Sequence, residues 1–136
     1  MAYSRILDMK DNKLANSIKV TAKVIYMENQ SNPDEQRFVF GYTITIKNCG
    51  NKTARLLTRH WLITDSDGVV QEVYGDGVIG EQPYISPGAF HKYSSGAILR
   101  TPIGSMEGSY GMISEEKHVF DAKIPVFGLA VPAMLN

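Results

Sequence analysis

The chain has 136 residues, 43% hydrophobic and 21% charged, with 14 Lys plus Arg against 14 Asp plus Glu. That length suits one domain with its own core, and the neutral balance gives no bulk signal for nucleic acid or an anionic membrane surface. A single cysteine, Cys49, excludes an internal disulfide and a cysteine-based zinc site, and suits a reducing compartment.

The opening stretch, MAYSRILDMKDNKL, lacks the apolar core of a signal peptide. Residues 1–16 read as an N-terminal extension, partly flexible, and 17–136 as one domain. In Ile18, Val20, Ala22, Val24 and Tyr26 every second position is apolar, with Lys19, Thr21 and Lys23 between them. Phe38, Phe40, Tyr42, Ile44 and Ile46 repeat the pattern. Such alternation predicts antiparallel strands with one face in the core and one in water. The turn Asn48-Cys49-Gly50-Asn51 follows, with Gly50 suited to positive φ. Residues 55–64 are more apolar and less regular, which predicts a strand covered on both faces, with Trp61 filling the core. Asp65-Ser66-Asp67-Gly68 predicts a hairpin turn with Gly68 left-handed. Candidate strands over 69–73, 89–95, 105–114 and 119–127 complete the set. The uncharged run Ile124–Asn136 is 13 residues long and contains Pro125 and Pro132, too short and too broken to cross a bilayer. Seven or eight short strands with frequent turns predict an all-β, immunoglobulin-like or fibronectin-III-like two-sheet antiparallel sandwich, with a small barrel as the alternative.

Between the fourth and fifth strands lies Gly75-Asp76-Gly77-Val78-Ile79-Gly80, a match to G-x-G-x-x-G. A dinucleotide fingerprint needs a helix after the glycines, whose N-terminus meets the phosphates. Pro83 and Pro87 forbid that helix, and the acidic residue due about 20 positions later is missing. A kinase phosphate loop would need a catalytic loop and a D-F-G, and neither occurs. The stretch therefore reads first as a glycine-rich connection. The sharper alternative is a nest of amides for an anion, with Arg59, Arg55 or Lys92 offsetting Asp76 and Glu81. Gly75, Asp76, Gly77, Val78, Ile79, Gly80 and Arg59 are the candidate ligand-binding residues.

No other constellation carries chemistry. His60, His91 and His118 are widely spaced, with no metal-binding pattern, although His60 and His91 lie on predicted strands and could meet. Asp65-Ser66-Asp67-Gly68 lacks the distal ligands of a calcium loop. There is no G-x-S-x-G elbow, Cys49 has no identifiable base, and Glu115-Glu116 read as a solvated turn. No catalytic residue, metal or cofactor is expected.

Arg59-His60-Trp61-Leu62-Ile63-Thr64, Gly75 to Pro83, Pro87-Gly88, Tyr93-Ser94-Ser95-Gly96, Thr101-Pro102 and Gly104 to Tyr110 occur in this order, and 124–132 close the set. Together they resemble the bacterial ApaG family from about Ile18 to Asn136. The resemblance implies a fibronectin-III-like sandwich, a cytoplasmic protein of undefined activity, and a link to cobalt and magnesium resistance. Related domains in F-box proteins and a polymerase-delta-interacting protein imply a protein-interaction module. Gly128 stands where the resemblance predicts a larger, often basic residue, which weakens any partner contact there. The expected function is thus non-enzymatic binding of another protein through an exposed apolar patch drawn from Tyr84, Ile85, Ile103 and Met106, with homodimerisation plausible. The alternative is a binder of pyrophosphate, nucleotide or divalent metal at the glycine-rich loop.

Overall fold

The computed structural model describes residues 13–135. Residues 1–12 of the expected extension lie outside them; 13–17 form a helical turn, pinned by the Ser17 hydroxyl donating to Leu14 O at 2.6 Å. Leu14 and Ala15 pack on the core.

Eight strands follow: β1 Ile18–Tyr26, β2 Phe38–Asn48, β3 Ala54–Asp65, β4 Val70–Asp76, β5 Tyr84–Ile85, β6 Phe90–Leu99, β7 Ile103–Ser114 and β8 Val119–Ala130. They form two antiparallel sheets, β1-β2-β6 and β4-β3-β7-β8, with β5 pairing on the start of β3. The inward positions meet between the sheets, where Phe40, Ile44, Ile46, Leu56, Met106, Met112 and Leu129 are buried. Trp61 is 2% exposed and touches three rings: Tyr42 with centroids 5.5 Å apart, Tyr110 at 6.2 Å and Phe127 at 5.9 Å. The sandwich expectation and the core role of Trp61 hold.

Several local expectations are corrected. β3 is not covered on both faces: Ala54, Leu56, Trp61, Ile63 and Asp65 are buried while the alternate residues are half-buried. The irregular apolar spacing comes from a bulge between Leu56 and Thr58, where one extra residue on β3 shifts its register against β7. After the bulge Arg59 pairs with Tyr110 and Trp61 with Gly108, so Arg59 lies on the inward face. Gly50 does not take a positive φ; it is small because a Cβ there would lie 2.8 Å from Ser17 Cβ. The 65–68 turn is as expected: Gly68 has φ 84°, and Asp65 Oδ1 accepts from the amides of Asp67 at 2.9 Å and Val69 at 3.0 Å.

Candidate functional site

At the end of β4 the chain must cross back towards β5. Gly75 and Asp76 are still strand, and only Gly77 to Gly80 form the loop. Ile79 at φ 48° and Gly80 at φ 73° make a two-residue turn, closed by Val78 N donating to Glu81 O at 2.8 Å and Glu81 N donating to Val78 O at 3.0 Å. Both central residues at positive φ is the turn geometry that matches strand twist. Gly77, at φ 64°, approaches the chain so closely that a Cβ would lie 2.3 Å from Glu81 O. Val78 is 1% exposed and plugs the loop into the core.

The bulge in β3 explains how this loop is held. Leu57, the extra residue, has no ladder partner on β7. Its carbonyl accepts instead from Gly77 N at 2.8 Å and from Gln82 Nε2 at 2.9 Å. Arg55 Nε donates to Gln82 O at 2.9 Å, and the same guanidinium sits over the Tyr84 ring at 4.6 Å. Arg59, turned inward by the bulge, passes beneath Gly75. A side chain there would meet its guanidinium at 2.9 Å. Its Nη1 donates to Asp76 O at 2.9 Å and to Gly77 O at 3.0 Å. The structure thus brings Arg59 together with Gly75, Asp76 and Gly77 as the sequence reading grouped them, and shows its bonds to be with loop carbonyls. Arg55 lies at β5 instead, and Lys92 stands outward on the other sheet.

Across the gap, β6 turns His91, Tyr93 and Ser95 inward, because these pair with the inward residues Ile46, Ile44 and Tyr42. His91 Nε2 lies 3.7 Å from a Glu81 carboxylate oxygen, tying the loop to the second sheet. His60 bonds Glu72 at 2.9 Å on the outer face of the first sheet, so the two histidines do not meet. Among the described residues, no group of three His, Cys, Asp or Glu side chains could hold a metal ion. Deeper in the seam the Tyr93 and Tyr110 hydroxyls bond each other. Burial pushes the Tyr93 phenol up to about 12, against the Arg59 charge, which favours the phenolate. Burial, then the neighbouring Tyr93, pushes Tyr110 well above the usual phenol range. Neither phenol can act as a base near neutral pH. Sequence reading missed this pair; the only signal was that Tyr93 and Tyr110 each sit at an inward position of an alternating strand.

The expected apolar patch is also corrected. Tyr84 is 69% exposed and Ile103 partly so, but Ile85 and Met106 are buried, because each sits at an inward strand position. Ile79, expected as a ligand-loop residue but not as part of this patch, is 63% exposed at the loop tip, and Val70, Tyr74 and Phe90, which sequence reading did not single out, are exposed as well.

With the loop and its anchors located, residues 28–114 match the ApaG domain family. The chain belongs to the ApaG family. It is 53% identical to Protein ApaG of Thiobacillus denitrificans over 88% of this chain and 94% of that one. Protein ApaG of Pseudomonas paraeruginosa is 52% identical over 94% of this chain and all (100%) of the relative. Among solved structures, a structural-genomics target is 50% identical with a TM-score of 0.86, covering 90% of this chain and 93% of the other. A Bordetella pertussis structure described as an ApaA protein gives 43% identity and a TM-score of 0.83 over 85% of this chain and 94% of that one. No helix among the described residues is long and apolar enough to cross a membrane.

Proposed function

We propose that this ApaG-family chain is a non-enzymatic, cytoplasmic protein-interaction domain whose binding end is the 75–84 segment and its neighbours. The observation that carries this reading is Ile79. A β-branched residue in the left-handed region costs roughly 1–2 kcal/mol, and here it holds an apolar side chain out in water. Strain of this kind collects at functional sites. Tyr74, Tyr84 and Phe90, also exposed, lie on elements that adjoin the same loop. Two buried phenols held neutral, and a guanidinium bonded to backbone, supply structure more readily than acid–base chemistry. A role in cobalt and magnesium resistance would then be exerted through the partner.

The test places a photo-crosslinking residue at position 79, at 84, and at Lys19 on the other sheet, and irradiates living cells. Positions 79 and 84 are expected to yield the same discrete protein adduct, and position 19 none. Ile79→Asn should abolish capture while leaving the fold about 1 kcal/mol more stable, since Asn tolerates positive φ. Identical adducts from all positions, or none, would overturn the reading.

A second reading keeps the loop as a site for pyrophosphate, nucleotide or divalent metal. It is favoured by one feature: the described bonds of Arg59 use Nη1 alone and reach no carboxylate. Titration with diphosphate, ATP, cobalt and magnesium should then shift the Arg59 and Gly75–Gly80 signals; their constancy at millimolar ligand would end it.

A further inference from the structure

Among the described residues, this open two-sheet sandwich leaves the outer edges of its terminal strands without a neighbouring strand, here those of β1, β6, β4 and β8. Each is a template for another strand unless something blunts it. β8 has Pro125 and a register shift against β7 between Met106 and Gly108. Ser114 N donates to His118 O, and alternation of the ladder from that pair places residue 125 at a position facing away from β7. The proline therefore deletes a donor from the free edge. β1 carries Lys19 and Lys23, and β6 carries Lys92 and gives its Ile98 carbonyl to Gln71 Nε2 at 3.1 Å. β4, Val70-Gln71-Glu72-Val73-Tyr74-Gly75-Asp76, has no lysine, arginine, proline or bulge.

The register shows which groups of β4 are free. Gly77 N donates to Leu57 O and Asp65 N to Val69 O. In the same antiparallel ladder the odd residues of β4 face β3, so the amides and carbonyls of Val70, Glu72 and Tyr74 point outward. Arg59 closes the far end of the edge by binding Asp76 O. The side chains of Val70, Glu72 and Tyr74 share one exposed face, apolar, acidic, aromatic.

We propose that the free edge of β4 receives an extended segment of a partner protein as an added strand. Its residue facing Glu72 is Lys or Arg and those beside it on that face are apolar. This rests on the protein-interaction reading and names its surface. Charge selects the occupant: Glu72 bonds His60 through Oε1 at 2.9 Å, and a second copy would still bring the carboxylates of Glu72 and Asp76 from two strands without Lys or Arg together, whereas a strand carrying Lys or Arg offsets them. Main-chain bonds supply affinity, and the alternating side chains supply selectivity.

The probe is a capped strand peptide alternating threonine with valine, lysine and tyrosine, compared with its glutamate-for-lysine counterpart. The lysine peptide should bind about fivefold more tightly, shifting the amides of Val70, Glu72 and Tyr74 and slowing their hydrogen exchange. Glu72→Lys should invert the preference. Glu72→Pro should abolish binding of both peptides, since that amide faces away from β3. Equal affinities, shifts confined to other strands, or no binding would overturn the proposal, as would a concentration-dependent dimer that Glu72→Pro dissolves. In cells, unchanged partner capture by Glu72→Pro refutes the β4 edge and leaves the interaction reading intact. Absence of any adduct from the unaltered protein refutes that reading instead.

Discussion

The two long sides of the sandwich are built from different chemistry. Where β1 meets β8, the filling is apolar: Tyr26 packs on Phe40 at 5.4 Å, and Phe127 packs against Trp61 and Tyr42. Where β6 faces β4, polar groups join the sheets, namely the Tyr93–Tyr110 hydroxyl pair, Gln71 on Ile98 O and Glu81 near His91, and Arg59 holds the loop carbonyls within its own sheet. Apolar packing is non-directional and tolerates sliding, whereas hydrogen bonds fix positions. The apolar side therefore stabilises the fold, and the polar side sets where the loop and the β4 edge stand.

That division fails if the polar side proves to dominate stability. The largest expected effect is at the shared centre: Trp61→Ala should cost about 3–5 kcal/mol, read as a shifted denaturant midpoint. Arg59→Ala should cost less, about 1.5–3 kcal/mol, because charge-assisted bonds to two carbonyls are lost. Its distinguishing sign is faster amide exchange confined to residues 77–81. Arg59→Lys should recover only part of that protection, since one ammonium cannot reproduce the fork. Tyr93→Phe should cost the least, about 1 kcal/mol, seen by denaturation at neutral pH. This variant also tests the direction of a pH effect. With the folded pKa raised from 10.0 to about 12, the Tyr93 contribution is fully present below pH 10 and is lost as pH rises towards 12. The alkaline fall in stability should be shallower in Tyr93→Phe, and an unchanged slope would contradict the burial of this phenol.

Strands with one wet face were legible because the backbone itself has period two, so Ile18–Tyr26 and Phe38–Lys47 announced their buried side directly. β3 was legible as a strand but not in phase. A bulge inserts one residue without any marker in composition, and everything after it changes face. That one shift made Arg59, expected as a cation for a bound anion, an inward clamp on the loop carbonyls. The glycine motif was legible as a loop and as a family mark. Its bonding was not, because the carbonyl that holds it, Leu57 O, lies 20 residues earlier than Gly77 and is exposed only by the bulge. Exposure of single apolar residues was half-legible: Ile85 and Met106 looked like surface until strand phase put them inside.

Pro125 has a consequence for stoichiometry. A sheet that can be extended at both edges polymerises, because every added strand offers a fresh template. Here the β4-β3-β7-β8 sheet ends in a strand lacking a donor on its outer rim. A ladder of β4 on the β8 rim of a second copy would lack the bond that an amide at position 125 would donate, which disfavours head-to-tail stacking of this chain.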